Sequence, residues 1–170
     1  MLLAHVRRMA HYNHWANARL LHACAALSDD DYGRTRPAFF GSIHGTLNHM
    51  LVADRLWLAR VEGEAAPHAR LDETPWATFE AVVDARNAVD GRWIALADGL
   101  AEGDLDRLVR YAALTASSRQ TSRLEQILLH VFNHATHHRG QIHDQLSQTE
   151  VPPPPLDLMI YLREAEPIRG

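Results

Sequence analysis

Apolar residues recur at helical spacing through four long stretches of this chain, each closed by glycine, proline or a run of turn formers, without sustained strand-like alternation. Residues 2–27 carry Leu3, Val6, Met9, Ala10, Trp15, Ala16, Leu20, Leu21 and Leu27 without a glycine or proline; Ser28, Asp29 to Asp31 and Gly33 then interrupt the pattern. Residues 42–62 make the second stretch, with Ser42 as its expected N-cap and Gly63 as its stop. The third is expected to start at Thr74-Pro75, because threonine caps free amides and proline suits the first helical turn. It runs to about Leu100, where Gly99 and Gly103 mark its end. Residues 104–120 are irregular: Leu105, Leu108, Val109, Tyr111 and Leu114 suit either a short extended segment or a ragged helix. Ser122-x-x-Glu125 has capping-box form and opens the fourth stretch, which continues to about Leu146. Pro152 to Pro155 end it, and residues 156–165 suit a short helix. The expected fold is all-α, an antiparallel four-helix bundle with a short C-terminal helix.

The 170 residues suit a single domain over 1–170, large enough to bury its own core. Apolar and charged fractions of 46% and 22% are those of ordinary globular proteins, which disfavours disorder and coiled-coil rods. A net charge of −4 provides no basic footprint, so neither nucleic acid nor a membrane surface is an expected partner. Arg7–Arg8 and Arg34–Arg36 read as solvated faces. No apolar run has the length of a signal-peptide core or a membrane span, and a cytoplasmic location is expected. All 17 basic residues are arginine, which removes Schiff-base chemistry, pyridoxal phosphate attachment and the phosphate-loop lysine. The single cysteine, Cys24, excludes an internal disulfide framework and, within the small apolar run HACAAL, is expected to pack rather than react.

Chemistry concentrates in HVFNHATHHRGQ, residues 130–141, where His134 and His138 stand four apart on one helix. Imidazoles at that spacing lie about one turn apart and can close on a single metal ion. The chain has 12 histidines, and helical phase sorts them. Leu124, Leu128, Val131, Ala135, Ile142 and Leu146 define the core-facing stripe; His138 falls within about 40° of its centre and His134 on its shoulder. His130 and His137 fall roughly 110° or more away, toward a neighbouring helix or solvent. A third ligand must come from elsewhere, and His49 shares a second apolar face of its helix with Val52, Ala53 and Leu56. His44 is a weaker candidate, and His5, His11, His14, His22, His68 and His143 show no comparable convergence.

Four segments resemble the DinB-like family of four-helix-bundle metalloenzymes, within a wider superfamily that includes thiol-dependent transferases. They are YNHWANARLL at 12–21, FFGSIHGTLNHMLVADRLWL at 39–58, LLHVFNHATHHRGQI at 128–142 and PPPPLDLMIYL at 152–162. The resemblance implies three ligands to one divalent metal, His49 from the second long helix and His134 and His138 from the fourth. It also implies a homodimer.

Three neutral imidazoles would leave a metal with open positions, as in catalytic rather than closed structural sites. For the thiol-transferase relatives the implied chemistry is attack of a metal-held thiolate, from a low-molecular-weight thiol, on a small electrophilic substrate; a hydrolytic variant would use hydroxide. Zinc and nickel both suit histidine nitrogen. No general base is evident beside the three ligands, so a non-catalytic metal-binding or stress-response protein is the alternative, and a dimeric bundle without metal a third reading. Asp54, on the apolar Ile43 face, needs a buried partner, and Arg139 is the expected one. Tyr12, Asn13, Trp15 and Asn17 are expected to pack and to hydrogen-bond between helices.

Overall fold

A computed structural model describes residues 1–114 and 118–167. Its elements are α1 (Leu2–Cys24), α2 (Asp29–Gly33), α3 (Ile43–Glu62), α4 (Phe79–Gly99), a single 3-10 turn (Glu102–Asp106), β1 (Leu108–Ala112), β2 (Arg119–Arg123), α5 (Leu124–Leu146) and α6 (Leu158–Ala165). The four long helices form the expected all-α bundle. Helix α1 packs on α4 and α5, and α3 packs on the same two.

Cross-helix contacts give the directions. Arg7 reaches the carbonyls of Ala97, Asp98 and Leu100 while Asn17 reaches Asp90, so α1 and α4 are antiparallel. Thr46 meets Gln145 and His49 meets His138, so α3 and α5 are antiparallel too. Asp54 faces Arg86 and Glu62 faces Arg92, so α3 and α4 run the same way. The connection over 63–78 is long because it must return from one end of the bundle to the other.

The caps of α3 are those its sequence signals. Ser42 Oγ accepts from Gly45 N–H at 3.0 Å, and Gly63 adopts the left-handed conformation (φ 76°) while its N–H bonds the Ala59 carbonyl. Helix α4 begins later than Thr74-Pro75 suggests, at Phe79, with Thr78 as cap. The cause is tertiary: the Asn48 amide grips the Trp76 backbone, accepting from its N–H at 3.1 Å and donating to its carbonyl at 3.2 Å. That grip holds the chain out of helix until Thr78.

The irregular stretch resolves into an antiparallel hairpin, with Leu108 opposite Arg123 and Ala112 opposite Arg119; residues 115–117 lie outside the described set. Ser122 belongs to this hairpin and sits 3.2 Å from the Tyr111 hydroxyl, so the box read at Ser122–Glu125 is displaced by one residue. Gln126 Oε1 accepts from Arg123 N–H instead. The acidic run after Ser28 forms the short α2, its first turn capped by the Ser28 hydroxyl, where sequence patterning showed only an interruption.

The core is lined by Leu20, Leu51, Leu58, Trp93, Ile127, Leu128 and Ile142, among others, and Cys24 packs within it. Burial pushes the Cys24 thiol up to about 12, which leaves it unreactive. Two arginines read as solvated turn inward. Arg7 donates to the last carbonyls of α4, and Arg36, 7% exposed, donates to the carbonyls of Asp31 and Arg34.

The Asp54 carboxylate meets Arg86 at 2.7 Å rather than Arg139. Phase placed Asp54 on a buried face, but α3 borders α4 as well as α5, and α4 supplies the cation. The same Arg86 nitrogen lies 2.9 Å from Asp90, which accepts from Asn13 and Asn17 of α1. Arg139 completes the layer by donating to the Asn13 and Asn17 carbonyl oxygens and to Thr136. All four long helices are thus tied by one buried polar layer. None of the helices among the described residues is long and apolar enough to cross a membrane.

Candidate metal centre

The three histidines singled out by phase meet at the α3–α5 seam. Their ligand-capable nitrogens lie within 4.8 Å of one another, the one such grouping among the described residues. His138 Nε2 is 2.9 Å from His134 Nε2 and 3.2 Å from His49 Nε2. His49 and His138 are buried, and His134 is half-buried.

Hydrogen bonds on the far side of two rings decide which nitrogen is free. His49 Nδ1 donates to the Leu71 carbonyl at 2.8 Å, and a carbonyl can only accept. His138 Nδ1 donates to Gln141 Oε1 at 2.8 Å. In the neutral rings, both Nε2 atoms are therefore lone-pair acceptors pointed at each other. Two such acceptors 3.2 Å apart repel unless a cation stands between them, so the donor set fits a metal ion.

Electrostatics agree. Burial, together with the neighbouring rings, pushes His134 down to about 3 and His138 down to about 4. His49 is also held below the ordinary value, again by burial. All three are neutral near pH 7, the form in which imidazole binds metal. Phe40 stacks flat on His49 with centroids 3.9 Å apart and meets the edge of His138, which fixes both ring planes. Gly45 makes that placement possible: a Cβ there would sit 2.1 Å from the Phe40 carbonyl oxygen.

The remaining histidines stay outside the cluster. His130 packs edge-on to Trp57 and beside His134 but is exposed, and His137 is exposed beside His138. His44 pairs with Tyr32, His68 with Glu73, His11 with Asp98 and His14 with Asp90. Sequence reasoning missed Gln141 and the Leu71 carbonyl. The first had a signal, since it stands three residues after His138 on the same helix; the second, on a loop, had none.

The DinB family model matches residues 2–169. The chain belongs to the DinB family. This DinB-family chain is 24% identical over 161 residues to Protein DinB of Bacillus subtilis (strain 168), covering 91% of this chain and 92% of that one. It also resembles a crystal structure of a DinB-like protein from Bacillus cereus ATCC 10987. There the TM-score is 0.62 at 16% identity, over 82% of this chain and 89% of the other, a likeness of fold.

In this DinB-family chain His49 and His138 of the cluster open on a vestibule of about 580 Å³, bordered by Phe39, Phe40, Leu71, Asp72, His137 and Gln141. Its walls are largely apolar, and Phe39 stands 88% exposed at the rim. The one carboxylate on the rim, Asp72, is held by both arms of Arg70 at 2.8 and 2.7 Å. A volume of this size suits a small organic molecule.

Proposed function

We propose that this chain is a metal-dependent enzyme in which His49, His134 and His138 hold one divalent ion, zinc or nickel, with open positions facing the vestibule. The observation that carries the reading is the convergence of three neutral imidazole nitrogens, two of them stripped of protons by partners on the opposite ring edge. An ion held there would lower the pKa of a bound thiol or water and keep it as a nucleophile.

Thiol transfer to a small electrophile is the preferred chemistry. Water activation profits from a free carboxylate or other base nearby, and the carboxylate at the rim, Asp72, is already engaged by Arg70. A thiol, with an ordinary pKa of about 8.5, needs far less help to ionise. Phe39, Phe40 and Leu71 give an uncharged organic electrophile an apolar wall to rest on. The family resemblance extends the proposal to a low-molecular-weight thiol as co-substrate and to a homodimer.

The test uses metal-loaded protein, a panel of small thiols and a chromogenic aromatic electrophile. Turnover above the uncatalysed rate, lost on chelation and restored by zinc or nickel, is expected with at least one thiol. Hydrolysis of an activated ester by the same preparation, with no thiol accelerated, would replace thiol transfer with the hydrolytic chemistry.

A further inference from the structure

Most arginine side chains among the described residues are committed to a carboxylate or a carbonyl. Arg55, Arg60, Arg110, Arg119 and Arg163 have neither a hydrogen bond nor an ion pair among those residues, and three of them line one cavity. That cavity, about 290 Å³, lies between the last turn of α3 and the β1–β2 hairpin.

Arg60 is the organising residue. Its guanidinium carbon sits 4.3 Å from the Trp57 ring centroid and 4.9 Å from that of Tyr111, so two aromatic rings hold the group. With no hydrogen-bond or ion-pair partner among the described residues, the Arg60 guanidinium keeps its N–H donors for an oxyanion, and a carboxylate or phosphate can take two of them in parallel. Burial lowers its pKa from the usual arginine value, and a guanidinium stays charged in proteins all the same. Glu64 also borders the cavity but leans toward Arg92, at 3.5 Å. Arg110 and Arg119 approach from the hairpin, whose register places Arg119 opposite Ala112, two residues beyond Arg110.

We propose that this cavity is a binding site for a small molecule bearing an oxyanion, a carboxylate or a phosphate, gripped by Arg60 and neutralised by Arg110 and Arg119. Its place suggests a use. Tyr111, Trp57, His130 and His134 make a continuous row of rings, with centroids 5.2, 5.1 and 5.5 Å apart, from the cavity to the candidate metal centre. A ligand anchored there lies at the C-terminal end of α3, the helix that carries His49 nearer its start. Any service to the reaction rests on the proposed function; the binding itself does not.

The experiment follows the arginine side-chain Nε–Hε resonances by NMR while inorganic phosphate or succinate is added at constant ionic strength. The expected result is a saturable shift of the Arg60 signal, absent with sodium chloride. Arg60→Gln should weaken binding about tenfold or more, and Arg60→Lys, which keeps charge but loses the fork, nearly as much. His134→Ala should leave the phosphate response intact, which separates this site from the metal reading. Non-saturating shifts that sodium chloride reproduces, or unchanged affinity in Arg60→Gln, would overturn the proposal. Succinate saturating without phosphate would assign the site to carboxylates, and the reverse to phosphates.

Discussion

Gln141 does for His138 what the Leu71 carbonyl does for His49: each accepts a hydrogen bond from Nδ1–H, which keeps the proton there and leaves Nε2 bare. If a metal is held by those nitrogens, Gln141→Leu should weaken zinc or nickel binding by about 10- to 100-fold while leaving the helix in place. Competition against a chromogenic chelator measures this, and an unchanged affinity would show that the hydrogen bond does not set the tautomer. Gly45 acts at one remove. With its Cβ position 2.1 Å from the Phe40 carbonyl oxygen, Gly45→Ala must push the 36–41 loop away and lift Phe40 from His49. A loss of about 1–3 kcal/mol in stability is expected, with weaker metal retention alongside. Denaturant unfolding that matches the parent within error would mean that the loop gives way freely. His49, His134 and His138 were legible because helical phase is a local property. The Leu71 carbonyl and Phe40 were not, because loop backbone leaves no periodic trace.

At the scale of elements, α1, α3 and α5 were readable because each is a long amphipathic run ended by strong breakers. The start of α4 was misplaced because Asn48, on α3, grips the Trp76 backbone, and a contact 28 residues away outweighs a local start signal. Phase told that Asp54 is buried but not which helix faces it, so Arg139 was expected where Arg86 stands. The buried layer makes a sharp test. Arg86 is the cation between Asp54 and Asp90, all three of them fully buried, and burial holds Asp54 above the usual carboxylate range despite Arg86. Arg86→Met leaves both carboxylates without their cation and should cost about 3–5 kcal/mol in urea unfolding. A loss under about 1 kcal/mol would show that the layer contributes little to stability.

For the whole molecule, helix content and the bundle were legible from sequence, whereas the shared direction of α3 and α4 came only from cross-helix contacts. The pooled histidines also make the fold sensitive to acid. His134, at about 3, and His138, at about 4, lie below the ordinary 6.5, and His49, His44 and His130 are lowered as well, each chiefly by burial. The unfolded chain binds these protons first. In the metal-free protein their contribution is therefore complete above pH 6.5 and is lost as pH falls from there toward about 3. Each histidine that takes up a proton on unfolding adds up to about 1.4 kcal/mol per pH unit to that decline. His14, raised by its bond to Asp90, and Asp54, raised by burial, work in the opposite sense, but they are two groups against five. Urea midpoints should fall between about pH 7 and about pH 5, from a higher starting value and at least as steeply with metal bound; a rise over that interval would contradict the neutral, buried cluster.

The most direct test of the central claim is metal content per chain, measured on protein purified without chelators and loaded with zinc or nickel, beside His49→Ala and His134→Ala. About one tightly held ion per chain is expected in the parent and none in either variant, with helical circular dichroism preserved in all three. No tightly held ion in the loaded parent, or the same content in the variants, would contradict a metal centre at the meeting of His49, His134 and His138.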